Sequence, residues 1–404
     1  MKPVCFVIPW YGEYATGGAE SAVRGLCEDM ARKGVKVTVL TTCVKNFKSP
    51  WDEQFYPEGQ SFLNGVCVER FKSDNRNGVL FDGINLKLLN GLRTSLKEEN
   101  DFLRESINST GLLDYVGKHF EDYGAFVFAP YLFGLTFYGV QKAGKKAVLM
   151  PCFHDEPYIY LRPFKEVFEK VKHYIFLSEP EKELAFKTFD LKDRSFIVSG
   201  CGIDKYEDNG ESEAYGAAWE TGGFKEKYGV DGDYILYAGR KEEGKGIEKL
   251  LSYYERFCDD YPKAPKLVLI GGGKVNISPK LKGKVIDAGY VSIEDKRRAF
   301  KEALFLVNPS PNESFSIVIM ESFMAKRPVV VNSVCEVTKD FAIKSKGGLF
   351  YKDYPEFEAV LNKLTEDRAL RESMGESGYK FVLDNFTREK VLDKILTYLE
   401  AEFK

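Results

Sequence analysis

Glu313 and Glu321 bracket seven residues in the stretch E-S-F-S-I-V-I-M-E. Carboxylates are seldom buried without a partner, yet the flanks L-F-L-V-N-P and R-P-V-V-V-N read as buried strands. The pattern predicts a strand over Leu304–Val307, a loop over Asn308–Asn312 and a helix from near Phe315 or Ser316 to Ala325. The amides of Phe315, Ser316 and Ile317 would then lack intrahelical acceptors. With the helix dipole they make a site for an anion such as phosphate. Glu321, over a turn further in and near the face of Ile317 and Val318, has the reach for a ribose-like diol. Glu313, in the loop, could bind sugar hydroxyls. The plainer alternative is that Glu313 merely starts the helix and Glu321 is a solvated helix acid.

A second cluster, G-R-K-E-E-G-K-G over Gly239–Gly246, follows an apolar run and opens a helix. Arg240 offers a planar fork to phosphate oxygens and Lys245 a compact charge, so the pair can clamp a diphosphate. The acids within the run leave a solvated charged loop as the alternative. Gly17 and Gly18 precede the first expected helix, where glycine lets a ligand approach the backbone. Neither they nor Gly271-Gly272-Gly273 form G-x-G-x-x-G, and no G-K-[S/T] follows. This argues against nicotinamide, flavin and P-loop chemistry. His154, in P-C-F-H-D-E, is the one of three histidines expected at a strand's carboxyl end, where ligands bind; His173 reads as structural. Asp231-Gly232-Asp233 has metal-binding spacing but precedes a strand, so a turn is the expectation and no metal site is assigned. No convincing Ser-His-Asp arrangement is found.

These residues need α/β elements to position them. Val4–Ile8 reads as a strand, Ala19–Ala31 as a helix stopped at Gly34, and Val35–Thr41 as a second strand. Such a βαβ crossover implies a parallel sheet. Further strands are expected at Ala125–Ala129, Ala147–Met150, Tyr174–Leu177 and Phe196–Val198, with helices and loops over residues 75–120. A polar, Gly-rich linker, Glu207–Gly223, precedes a second series. Its strands are Tyr234–Ala238, Lys266–Ile270, Val285–Ala288, Leu304–Val307 and Val329–Asn332. Its helices are Gly246–Cys258, Ile293–Ala303 and Ser316–Ala325. Two doubly wound sheets facing a cleft would bind ligands beyond their strands' carboxyl ends. Thr387–Phe403 reads as an amphipathic terminal helix.

The totals agree. A chain of 404 residues implies two domains, and 44% hydrophobic with 29% charged residues is a globular composition. A net charge of −3 argues against nucleic acid as a partner, and Lys142, Lys145 and Lys146 read as a solvated face. The apolar run ending at Pro9 is too short for a signal-peptide core, and no stretch has membrane-spanning length, so a cytoplasmic location is expected. Eight cysteines with no C-x-x-C pair read as reduced, mostly buried thiols. Trp51, Phe55, Tyr56 and Phe81 could stack on sugar or simply anchor loops.

Taken together, Gly17-Gly18-Ala19-Glu20, Gly200–Asp204, Gly239-Arg240 with Lys245-Gly246, and N-P-S-P-N-E-S-F-S-I-V-I-M-E resemble the retaining glycosyltransferases of family 4 and their E-x7-E signature. The resemblance spans nearly the whole chain and is strongest over residues 234–332. It implies the GT-B architecture: a Rossmann-like acceptor-side domain over 1–202, joined by a terminal helix over 386–404, and a Rossmann-like nucleotide-sugar domain over 203–385. By resemblance Arg240 and Lys245 contact the donor diphosphate, Glu313 the donor sugar and Glu321 the ribose. Gly239, Ser314 and the amides of Phe315, Ser316 and Ile317 line the phosphates. Gly289-Tyr290-Val291 would hold the base, Gly17 and Gly18 would approach the phosphate, and His154 the transferred sugar. The implied reaction moves a hexose from a nucleotide-diphosphate sugar, UDP- or GDP-linked, to a glycan or lipid-linked acceptor, with no cofactor and no metal. A lipid-linked acceptor would add peripheral contact at the inner face of the membrane. A sugar-nucleotide epimerase, a phosphorylase or a non-catalytic nucleotide-sugar sensor are the alternatives. The chain departs from the family at Lys326, where a glycine is usual; a left-handed residue there costs about 1 kcal/mol when it carries a side chain.

Overall fold

The computed structural model describes residues 2–15, 17–206 and 223–403; the expected linker Glu207–Gly223, Gly223 apart, lies outside the described residues. The chain divides into two compact units, Met1–Gly202 with Arg388–Lys404, and Ile203–Thr387. The second unit runs beyond the expected end at residue 385, because Phe386 packs edge-on against Phe315 at 5.1 Å and against Phe341.

The first unit is built on strands β1 (Val4–Val7), β2 (Val37–Thr42), β3 (Gly59–Leu63), β4 (Val66–Phe71), β5 (Ala125–Phe128), β6 (Ala147–Leu149), β7 (His173–Phe176) and β8 (Ser195–Val198), in the order β3-β4-β2-β1-β5-β6-β7-β8. All neighbours pair parallel except β3 with β4. The central strands β1 and β5 are buried at every residue, as expected where helices cover both faces. The helices are α1 (Gly18–Arg32), α2 (Gly78–Leu89), α3 (Leu96–Arg104), α4 (Thr110–Lys118), α5 (Gly134–Ala143), α6 (Arg162–Phe168) and α7 (Glu179–Thr188). Side chains of Asn77, Ser95, Ser109 and Ser178 cap α2, α3, α4 and α7 by accepting from backbone N–H groups of the first turn.

The β3–β4 hairpin was not among the expected elements. Its turn is Asn64-Gly65, both left-handed (φ 49° and 81°), with Leu63 paired to Val66. This Asn-Gly pair is a strong two-residue hairpin signal. The exposed polar edge strand β3 lacks the alternation that would have marked it.

The second unit comprises α8 (Phe224–Tyr228), β9 (Tyr234–Ala238), α9 (Ile247–Asp260), β10 (Lys266–Ile270), β11 (Val285–Gly289), α10 (Ile293–Glu302), β12 (Leu306–Asn308), α11 (Ile317–Met324), β13 (Val329–Asn332), α12 (Glu336–Ser345), β14 (Gly348–Tyr351), α13 (Tyr354–Glu366) and α14 (Arg368–Asn385). Its sheet is wholly parallel, in the order β11-β10-β9-β12-β13-β14. The last helix, α15 (Arg388–Glu402), belongs to the first unit. There Arg388 Nη1 meets Asp29 Oδ2 at 3.0 Å and the Tyr398 hydroxyl donates to the Ser195 carbonyl at 2.9 Å. Among the described residues no helix is long and apolar enough to cross a membrane.

Two departures bear on the site. Strand β12 starts two residues later than expected, at Leu306, and ends one later, on Asn308, and α11 starts at Ile317 because Ser316 is left-handed (φ 71°). At the far end, Lys326 holds the left-handed position (φ 56°), and its ammonium meets Glu376 at 3.0 Å. α11 is then pressed onto α14 through glycines. A Cβ on Gly375 would fall on the Lys326 carbonyl, and one on Gly378 on the Phe323 ring. Backbone cannot yield as a flexible side chain can, so crowding outweighs the gain in helix propensity of about 1 kcal/mol. Gly375→Ala is therefore expected to lower the unfolding free energy by about 1–3 kcal/mol, measured by urea denaturation of the full chain; an unchanged midpoint would refute this account of the packing.

Candidate active site

Three loops at the carboxyl ends of β9, β10 and β12 lie backbone against backbone in the second unit. A Cβ on Gly271 would fall on the Gly239 carbonyl, and one on Gly273 would stand 2.7 Å from the Lys241 carbonyl oxygen. Gly239 donates to the Ile270 carbonyl at 3.0 Å and Lys241 to the Gly272 carbonyl at 2.8 Å. Loop packing thus explains Gly271 and Gly273, whereas a Cβ on Gly272 would meet nothing within 4 Å. Gly246 is left-handed (φ 70°) and a Cβ there would stand 2.6 Å from the Pro309 carbonyl oxygen, so both conformation and crowding require glycine.

That contact brings the β9 and β12 loops together and with them the charged residues. Lys245 Nζ donates to Glu313 Oε1 at 2.8 Å, the two side chains being mostly buried. Arg240 is more exposed, with Nη1 3.3 Å from Glu242 Oε2. The Tyr237 hydroxyl donates to the Arg240 carbonyl at 2.6 Å and fixes that residue's backbone. Asn308 Nδ2 donates to Ser316 Oγ at 2.9 Å and Asn308 Oδ1 accepts from the Ser310 amide, so β12 supports the turn into α11. Phe315 is buried against Phe341 and Phe386, which leaves the half-buried Ser314 on the loop side. The amides of Ile317 and Val318 have no intrahelical acceptor, whereas that of Ile319 donates to the Ser316 carbonyl at 3.2 Å.

Glu321 is not a freely solvated acid. Its Oε1 accepts from Lys296 Nζ of α10 at 2.6 Å, whereas Oε2 is buried with no hydrogen-bond partner among the described residues. A buried carboxylate oxygen without a donor is unusual, and a ligand hydroxyl would supply one. Tyr290, after β11, is 77% exposed, and Val291 is half-buried beside it.

In the first unit Gly17 caps α1 in extended backbone, and Gly18 opens it. A Cβ on Gly18 would meet nothing within 4 Å, so its own unit's packing does not require glycine there. His154 lies in the loop after β6, with Nδ1 3.6 Å from Glu156 Oε1; the Tyr131 hydroxyl donates to the same oxygen at 2.8 Å. A buried carboxylate holds this loop. Glu181 accepts from the Phe153 amide at 2.8 Å and the Leu177 amide at 2.6 Å. Burial pushes its carboxyl up to about 8, against the lowering effect of those amides.

His173 is structural, packed against Phe403 with Nδ1 3.4 Å from Glu402. Asp231 and Asp233 flank a bend at Gly232, and both are paired with lysines, Lys266 and Lys225. Trp51 and Phe81 are buried in the core, and Tyr56 lies 4.4 Å under the Arg70 guanidinium; these three anchor loops, while Phe55 is 44% exposed. All eight cysteines are free thiols. Sequence reasoning missed Lys241, Asp287, Lys296 and Asn308. An acid inside the apolar run V-I-D-A-G was the available signal for Asp287; nothing local marked Lys296.

Residues 223–381 match the family described as Glycosyl transferases group 1. The chain is 26% identical over 228 residues to an uncharacterized glycosyltransferase of Methanocaldococcus jannaschii, covering 54% of this chain and 57% of that one. It is 28% identical over 212 residues to the D-inositol 3-phosphate glycosyltransferase of Jonesia denitrificans, covering 49% and 47%. The chain thus spans about half the length of the curated relatives it matches. Among solved structures, sucrose-phosphate synthase from Thermosynechococcus elongatus superposes with a TM-score of 0.69 at 16% identity, over 100% of this chain and 99% of that one. Anabaena HepE, in complex with UDP-glucose, gives 0.65 at 14% identity over 99% and 100%. These likenesses show the fold: two α/β units with parallel sheets, of the GT-B type.

The Glu181 clamp has a pH consequence. Its carboxyl is pushed up to about 8 in the folded chain against 4.5 for an ordinary glutamate, so between those values the native state holds a proton that the unfolded state has released. This contribution to stability is complete below the lower value and is lost as pH rises through the upper one. Urea denaturation between pH 5 and 8.5 should show stability falling, and the fall should be shallower in Glu181→Gln; identical slopes would refute it.

Proposed function

We propose that the chain is a retaining glycosyltransferase of family 4, moving a hexose from a nucleotide-diphosphate sugar to a glycan or lipid-linked acceptor in polysaccharide or glycoconjugate synthesis. The observation that carries this reading is the pairing of Lys245 with Glu313 just before α11, with Arg240 on the same loop as Lys245 and Glu321 further along the helix. The pair Glu313 and Glu321 is read as the E-x7-E signature.

Transfer breaks the bond from the anomeric carbon to the diphosphate oxygen and forms one to the acceptor oxygen. Positive charge grows on the sugar and negative charge on the leaving diphosphate. Arg240, Lys245 and the first amides of α11 are pre-set to favour that negative charge. Glu313, already bonded to Lys245, turns its carboxylate to the sugar hydroxyls. Glu321 Oε2 accepts from a ribose hydroxyl and so gains the donor it lacks. Tyr290 and Val291 border the base. Gly18 and His154 of the first unit are assigned to the phosphates and the transferred sugar by the family resemblance alone. The acceptor's proton passes to the departing phosphate, on the same face, so no protein nucleophile is needed. The family match and the relatives' names support glycosyl transfer, and UDP-glucose bound to HepE supports a UDP-linked donor over a GDP-linked one.

A lipid-linked acceptor has its own support. Helix α2 and the segment after it expose Val79, Leu86, Leu89, Leu92 and Leu96. A helix apolar on both faces needs cover, and a bilayer edge at the inner membrane face would provide it. The catalysed step would then take place at the cytoplasmic surface.

The donor reading is tested by incubating the full chain with UDP-, GDP-, ADP- and dTDP-sugars without added metal. Thermal shift and slow nucleotide release with one donor are expected, with release falling about 10²–10³-fold in Arg240→Ala. Gly18→Leu should leave thermal stability unchanged yet abolish release. Silence with every donor would refute the reading. Separately, Leu86→Asp/Leu89→Asp should lose co-sedimentation with phospholipid vesicles; unchanged or absent binding by the parent chain would remove the membrane part alone.

A further inference from the structure

Lys241 sits next to Arg240 but turns the other way. Its side chain is 1% exposed and pairs with Asp287 of β11. The same Asp287 oxygen, Oδ1, accepts from the Gly289 amide at 3.0 Å. Gly289 is left-handed (φ 67°), its carbonyl accepts from the Gly271 amide at 2.7 Å, and the exposed Tyr290 follows it. The Lys241 amide meanwhile donates to the Gly272 carbonyl at 2.8 Å. One residue therefore ties together the loops after β9, β10 and β11.

Burying an ammonium is costly unless it is paired, and an apolar side chain would serve stability as well. The pair is explained by what it holds: an oxygen aimed at the amide just before Tyr290. We propose that the Lys241–Asp287 pair is a positioning element for the nucleoside half of the donor. It sets the Gly289-Tyr290-Val291 turn beside the loop that carries Arg240. The inference rests on the nucleotide-sugar reading above. Arg240 and Lys245 hold the phosphates without the pair; the base requires the Oδ1 acceptor that the pair holds against the Gly289 amide.

Two double variants separate this role from stability. Lys241→Met/Asp287→Asn removes both charges but keeps an Oδ1 acceptor for the Gly289 amide. Lys241→Met/Asp287→Leu removes the acceptor too. Calorimetric titration of the full chain would use UDP, GDP, ADP and dTDP, with inorganic pyrophosphate as the base-free probe. The Asn variant is expected to bind the preferred nucleoside diphosphate within about threefold of the parent. The Leu variant should bind it at least about tenfold more weakly while its pyrophosphate affinity stays within about threefold. Equal nucleoside diphosphate affinity in the two variants overturns the proposal. So does a parallel loss of pyrophosphate binding, which would mark general damage. A parent chain that takes none of the four nucleoside diphosphates overturns the donor reading itself, and the proposal with it.

Discussion

The arrangement in the second unit depends on close backbone approach between loops at the carboxyl ends of parallel strands. Adjacent strands lie about 5 Å apart, so their loops can carry functional side chains to one place only if nothing bulky separates the chains. Gly246 against Pro309 and Gly271 against Gly239 meet that condition, and each contact leaves no room for a Cβ. Lys245 reaches Glu313 because Gly246, one residue on, lets the two loops touch. The glycines here are geometric spacers, and the charged residues beside them gain their positions from that spacing.

Helix α11 shows how strain is distributed around such a site. Both its boundaries are left-handed at non-glycine residues, Ser316 before it and Lys326 after it. Each costs roughly 1–2 kcal/mol. Phe315 in an aromatic cluster, the Asn308–Ser316 hydrogen bond and the glycine contact with α14 over-determine the helix and offset that cost. The benefit lies at the amino end, where the sharp turn at Ser316 presents the first amides of α11 beside the β12 loop instead of continuing the chain direction of the strand.

Much of this was legible in the sequence, for identifiable reasons. Buried parallel strands such as Tyr234–Ala238 and Val329–Asn332 are continuous apolar runs, so both appear at their expected limits. Boundaries near the site were less legible. Ser316 is not a residue type that announces a left-handed turn, and Asn308 reads as loop although it closes β12 and supports that turn. The β3–β4 hairpin shows the converse case, a turn with clear chemistry beside a strand with too little apolar patterning. Pairings across sequence, such as Lys296 with Glu321 or Lys241 with Asp287, exist only once the sheet order is known, since they join elements tens of residues apart.

The charge pattern of the site follows from the same geometry. Cations gathered in one place would repel one another and lose hydration if left alone near a packed core. Here Lys245 has Glu313, Lys241 has Asp287, Lys296 has Glu321 and Arg240 has Glu242. These pairings keep the folded unit close to neutral locally and hold each side chain in a defined rotamer before any ligand arrives. They are not equally committed. Lys241 is sealed from solvent, whereas Arg240 is the most exposed of the four cations and the cheapest to redirect. Glu321 alone among these acids keeps one buried oxygen with no partner among the described residues. A fold optimised only for stability would have closed that gap with a donor; on the proposed function it is the place left for a ligand hydroxyl.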